Sequence, residues 1–163
     1  MPKRESMRRF TEVVHFLSAA SLALFVGALL TEAMVLVPMW RTLRPQDFFT
    51  LHRAHAHLLF NYFALLTVCA TLLAVGAGIS AVATGRQRRR ASVVAAVLVL
   101  VILSTYALYF QNANASFATA SIPHEALPAE LKRWASWHWF RTVVGLVALA
   151  SALFALRGGA KRL

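Results

Sequence analysis

The segment Trp134-Ala135-Ser136-Trp137-His138-Trp139-Phe140-Arg141-Thr142 sets a histidine and an arginine among aromatic residues at the mouth of an apolar run. Read as a helix, it puts Trp134, His138 and Arg141 on one stripe, because residues three and four apart lie over one another. Glu32, His57, Asn61 and Asn112 stand at matching depths in three other apolar segments. Two chemistries suit such a set. Glu32, His57 and His138 are ligand types for zinc, copper or non-haem iron, although no compact spacing such as H-E-x-x-H joins them. Without a metal, a histidine, most naturally His138, removes a proton from an activated carbon or phenol. Arg141 and the amides of Asn61 and Asn112 then stabilise the oxyanion, and Trp134 and Trp137 hold a flat substrate. A haem between His57 and His138 is a third use. The sequence requires no cofactor; iron, copper and haem are those that its residues would accept.

Each of these residues also has a plainer reading. Glu32 and Arg141 make a structural ion pair as readily as a reactive one. His57 and Asn61 suit hydrogen bonding between helices, His52 and His55 suit solvation at headgroup level, and the tryptophans suit an interfacial belt. Gln111, Asn112 and Asn114 are compatible with a polar helix end.

The elements that must position these side chains are membrane helices. The chain has 163 residues, 59% of them hydrophobic and 14% charged, with a mean hydropathy of +0.61, which is too apolar for an ordinary soluble domain. Its formal net charge of +11 gathers at the ends of the apolar runs rather than along one soluble face. That is the pattern of topology signals, with attraction to anionic lipid as a by-product, and it argues against a nucleic-acid partner. Cys69 is the single cysteine, so one chain can build neither a disulfide nor a cysteine metal site.

The periodicity and punctuation predict an all-α integral membrane four-helix bundle in one domain, 1–163, with helices over about 11–40, 46–84, 91–117 and 129–157. The first apolar run, Val13 to Trp40, is about twice as long as the apolar region of a cleaved signal peptide, so it reads as a retained helix. Pro38, Trp40, Arg41 and Pro45 mark its exit. Pro45 and Asp47 suit the start of the second helix. At 1.5 Å per residue that helix would be roughly 60 Å long, so its first turns must stand outside a hydrocarbon core of about 30 Å, lie along its surface or sit behind a kink.

The amino terminus, the loop Gly85-Arg86-Gln87-Arg88-Arg89-Arg90 and the carboxyl end with Lys161 and Arg162 are basic. The charge bias of short loops places both termini in the cytoplasm, of a protein that crosses the plasma (inner) membrane several times. The polar residues then fall in the outer half of the bundle. There they should face inward and pair, because an ionisable group facing lipid costs about 2.5 to 3.5 kcal/mol. The partners implied are the bilayer and a hydrophobic small molecule.

The run Arg133-Trp134-x-x-Trp137-His138-x-x-Arg141-Thr142, preceded by Asn112 at the end of the third helix and by Leu127-Pro128-Ala129-Glu130, resembles the anthrone oxygenase-like family of small four-helix membrane proteins. The likeness extends more loosely over nearly the whole chain, through Gly27, Glu32 and Pro38 of the first helix. The resemblance implies oxidation of a hydrophobic aromatic substrate, as fungal relatives oxidise an anthrone to an anthraquinone with molecular oxygen. It places Asn112, Trp134, His138 and Arg141, and less closely Glu32, on the family pattern. The histidine-rich start of the second helix, His52-Arg53-Ala54-His55-Ala56-His57, departs from that pattern. The alternative function is a non-enzymatic membrane module, a partner subunit or a haem- or metal-binding protein, whose polar cluster is structural.

Overall fold

In the computed structural model, which describes residues 2–85 and 89–157, these residues form four long helices. The first, α1, is α-helical over Pro2–Thr31, widens into a π-helical turn at Glu32–Leu36 and ends in an α-helical turn at Val37–Trp40. The second, α2, is a single helix over Pro45–Ala83, about 58 Å long. The third, α3, spans Arg89–Thr119 and holds a second π-helical turn at Tyr106–Phe110. The fourth, α4, covers Leu127–Leu156. All four are long and apolar enough to cross a membrane, as in a multi-pass membrane protein. Of the basic segments read as topology signals, 86–88 and 158–163 lie outside the described residues.

Local chemistry explains most boundaries. Pro45 occupies the first turn of α2, and Arg44 just before it donates from Nε to Asp47 Oδ2 at 2.7 Å. Proline is tolerated there because a first-turn N–H has no helical acceptor. Gly85, at φ +61°, supplies the left-handed residue after α2. Ala120 does the same after α3 at φ +52°, a conformation alanine rarely adopts, closed by the Ser121 N–H on the Ser116 carbonyl at 3.1 Å. Expected to begin near residue 11, α1 instead begins at Pro2. The pairs Arg9–Glu5 at 2.7 Å and Arg8–Glu12 at 3.7 Å, spaced by four, support the extra turns. Nor does the helix stop before Pro38. The Val37 N–H bonds five residues back to the Glu32 carbonyl, and this wider turn precedes a proline that has no N–H of its own to give.

Each helix packs on its chain neighbours, and α1 closes the ring against α4. The two ends of the bundle are packed differently. Towards the termini the core is made of small residues: Ala70, Ala74, Ala77, Gly78 and Ala81 of α2 face Ser92, Ala95 and Ala96 of α3. A Cβ at Gly78 would lie 3.2 Å from the Ala96 Cβ, so the two backbones approach closely, as small residues allow between membrane helices. His15 of α1 bonds the Ser92 hydroxyl of α3 across this layer at 3.1 Å. Towards the α1–α2 and α3–α4 connections the core is aromatic, with Trp40, Phe48, Phe110, Phe117 and Trp134 in edge-to-face contact. Between the small-residue layer and the aromatic layer the helices enclose a cavity.

Candidate functional site

The cavity has a volume of about 520 Å³ and draws on all four helices. Its wall on α2 is the series His52, Ala56, Leu59, Phe63 and Thr67, spaced by three and four along one helical face. Facing this series are Phe25, Glu32 and Trp40 of α1, Thr105, Gln111 and Asn114 of α3, and Trp134 and Arg141 of α4. Both π-helical turns lie at this level, one opening at Glu32 and the other running from Tyr106 to Phe110.

A buried network forms the α1–α4 side. Glu32 is 4% exposed, and Arg141 donates from Nη2 to its Oε2 at 2.8 Å. Arg141 also donates from Nε to His138 Nδ1 at 3.1 Å, and its Nη2 lies 2.8 Å from the same nitrogen. His138 is fully buried and stacks on Trp134 with ring centres 5.0 Å apart and planes 8° apart. Its Nε2 lies 2.8 Å from the Leu29 carbonyl oxygen of α1. A carbonyl only accepts, so Nε2 carries the proton and Nδ1 is the lone-pair acceptor that Arg141 occupies. Arg141 is held over the ring of Phe110, with Cζ 4.2 Å from the centroid, and within 5.8 Å of Trp134 and 5.7 Å of Phe63. The guanidinium is thus fixed in direction by an acid, an imidazole and three aromatic faces. The Nη1 group makes no hydrogen bond among the described residues, while Arg141 lines the cavity.

Three of the residues expected at the site, Glu32, Trp134 and Arg141, line this cavity. His138 stands behind Arg141. Both its ring nitrogens are engaged, so the expectation that it acts as the free base meets a geometric obstacle: a proton could reach Nδ1 only by displacing Arg141. His57 and Asn61 are corrected more sharply. They bond each other at 3.3 Å on the exposed face of α2. Matching depth is not matching direction: His57 follows the half-buried Ala56 by one position, and Asn61 precedes the half-buried Phe63 by two, turns of about 100° and 200°. Asn112 and Trp137 also lie outside. Asn112 lines a separate groove of about 540 Å³ between α3 and α4, beside Tyr109, Glu130 and Arg133, and Trp137 stacks on Tyr109 at 5.3 Å. The asparagine that meets the tryptophan motif is Asn114, whose Oδ1 accepts from Trp134 Nε1 at 2.9 Å.

The ligand set Glu32, His57 and His138 is not assembled, because His57 points away from the other two. Among the described residues, no three histidine, cysteine or acidic side chains come together as a metal site. A haem held between His57 and His138 is not assembled either, because His57 lies on the exposed face and both nitrogens of His138 are engaged. Two residues of the α2 wall were not expected at the site: His52, placed at headgroup level, and Phe63. The signal was present in the spacing of His52, Ala56, Leu59 and Phe63, which shares one face.

Compared with known proteins, the chain matches no family model, no curated protein and no solved structure.

Proposed function

We propose that this chain crosses the plasma (inner) membrane four times, with both termini cytoplasmic, and oxidises a flat hydrophobic aromatic molecule with molecular oxygen in the outer half of its bundle. The observation that carries this reading is the cavity holding a fixed guanidinium with an unengaged Nη1 among aromatic walls. Such a cavity suits an apolar ring system with one oxygen to be recognised. Between α2 and α3 it is edged by Phe60, Val68, Leu103 and Tyr106, all partly exposed on the apolar surface. This gap is a route from the bilayer.

The resemblance to anthrone oxygenases supplies the reaction. An activated methylene beside two aromatic rings becomes a carbonyl: one atom of O₂ enters the product and the other leaves as water with the two hydrogens. When the first C–H bond breaks, negative charge develops on the substrate's carbonyl oxygen. A cation already fixed in a dry site stabilises that charge without reorganising. Glu32 and His138 aim the cation, so they are positioning residues.

The test is production of anthraquinone from anthrone under air by the purified full-length chain, with Arg141→Ala as control. Loss of product in a folded Arg141→Ala protein supports the reading, and equal product in both sinks it.

A second reading, the non-enzymatic membrane module, is favoured by one observation: His138 spends both nitrogens on the scaffold. Under it the chain binds the aromatic molecule and leaves it unchanged. Metal analysis and a visible absorption spectrum of the purified protein separate the iron, copper and haem versions from either reading.

A further inference from the structure

The network on the α1–α4 side holds no base with a free nitrogen, yet the cavity has another histidine. His52 is 8% exposed and lines the cavity from α2. Its neighbours are rings: Phe48 and Phe117 at 5.5 Å each and Trp40 at 6.2 Å. Its Nδ1 is buried with no hydrogen-bond partner. A buried imidazole nitrogen without a partner is costly, by about 1–3 kcal/mol, and such groups are rare enough in folded proteins to demand a reason. Solvation at headgroup level, the reading that the sequence invited, does not supply one, because the ring is enclosed. No bond to Nδ1 fixes the ring's orientation. A half-turn about Cβ–Cγ exchanges Nδ1 with Cδ2 while keeping the ring plane, and so the aromatic contacts.

From this we infer that His52 is the proton-accepting group of the cavity, taking the acidic hydrogen of a bound aromatic molecule whose oxygen faces Arg141. The inference rests on the reading above and deepens it, assigning the base to α2 and the oxyanion partner to α4. His52 lies eleven positions before Phe63, the ring beside the Arg141 guanidinium. His52 and Phe63 stand about 16 Å apart along α2, so the two anchors sit at different levels of the chamber. A ligand with its acidic hydrogen and its oxygen on opposite edges of a fused ring system fits between them. In the step itself the C–H bond breaks, the proton moves to the free nitrogen of His52, and the electron pair remains on the ligand as an enolate whose oxygen Arg141 holds; a phenol engages the His52 end alone, through its O–H. Aromatic packing around the imidazole keeps water from competing for that nitrogen.

The experiment uses the full chain in lipid nanodiscs and two probes, 1-naphthol, which can donate a proton, and 1-methoxynaphthalene, which cannot. Wild type should bind 1-naphthol about tenfold more tightly, the worth of one hydrogen bond in a dry site. His52→Phe, which preserves the ring contacts, should abolish that preference while still binding the methoxy probe. Its thermal midpoint should equal or exceed that of wild type, because an unpartnered polar group has been removed. His52→Leu makes the same comparison if the phenylalanine does not pack. A preference that survives in a folded His52 variant overturns the inference and leaves the enzymatic reading standing. Binding of neither probe by wild type overturns both. With anthrone as substrate, His52→Phe should lose about a hundredfold in kcat, the range of general base catalysis. If wild type turns over no anthrone but keeps the naphthol preference, the oxygenase reading falls and His52 remains the ligand's proton acceptor.

Discussion

His138 of α4 donates from Nε2 to the carbonyl oxygen of Leu29 on α1 at 2.8 Å. This bond fixes the tautomer of a fully buried imidazole and presents its other nitrogen to Arg141. It makes the histidine of the tryptophan-rich segment a joint between helices. Truncation should therefore be felt in stability before chemistry: His138→Ala should cost about 2–4 kcal/mol through the lost hydrogen bond and the void beside Trp134. Equilibrium unfolding in mixed micelles measures this, and a change under about 0.5 kcal/mol would show that the joint is not structural.

The Arg141–Glu32 pair should behave as a unit. Either Arg141→Met or Glu32→Gln alone leaves a buried charge without its partner, at a cost of about 3–5 kcal/mol. The double variant should be less destabilised than the sum of the two, since each single change strands the other residue and the double change leaves neither charge buried alone. A double-mutant cycle on unfolding free energies reads this coupling, and strict additivity would contradict it.

Access to the cavity through the gap between α2 and α3 can be closed from within. Ala64 lines the chamber beside Phe60 and Phe63, and Ala64→Phe should fill part of the space that a ring system needs. Affinity for 1-naphthol should fall about tenfold or more, a loss of about 1.4 kcal/mol, with the Arg141 network intact. Unchanged affinity would place the ligand elsewhere.

His57 and Asn61, on the exposed face of α2, are expected to be dispensable for the site. Asn61→Leu and His57→Leu should leave probe binding unaltered and shift stability by no more than about 0.5 kcal/mol. A loss of binding on either change, measured by the same titration, would return them to the chamber.

Much of the architecture was legible because its signals are compositional. The runs between charged and proline-rich connections give four helices, and Pro45, Asp47 and Gly85 mark ends that the structure keeps. The pairing of Glu32 with Arg141 was legible too, since two opposite charges at one depth in an apolar bundle have few other partners. What escaped was direction. The first turns of α2 carry Thr50, His52, Arg53, His55, His57 and Asn61 around several faces of the helix, so polarity alone does not tell inward from outward, and His52 and His57 differ by a rotation that depth cannot reveal. On α3 the confusion of Asn112 with Asn114 has another cause. The π-helical turn at Tyr106–Phe110 advances the register just before them, and nothing in Tyr-Ala-Leu-Tyr-Phe announces it.

Those two wide turns bear on how such a protein can change. A π-helical turn is what an α-helix becomes when it absorbs one surplus residue without breaking. Here the surplus sits at Glu32–Leu36 on one wall of the chamber and at Tyr106–Phe110 on another, while the alanine- and glycine-lined end keeps an unbroken α-helical pitch. The scaffold and the chamber are therefore separately adjustable. Single-residue insertions or deletions at the wide turns would re-aim the rings and the arginine, and the small-residue end would hold the helices together meanwhile.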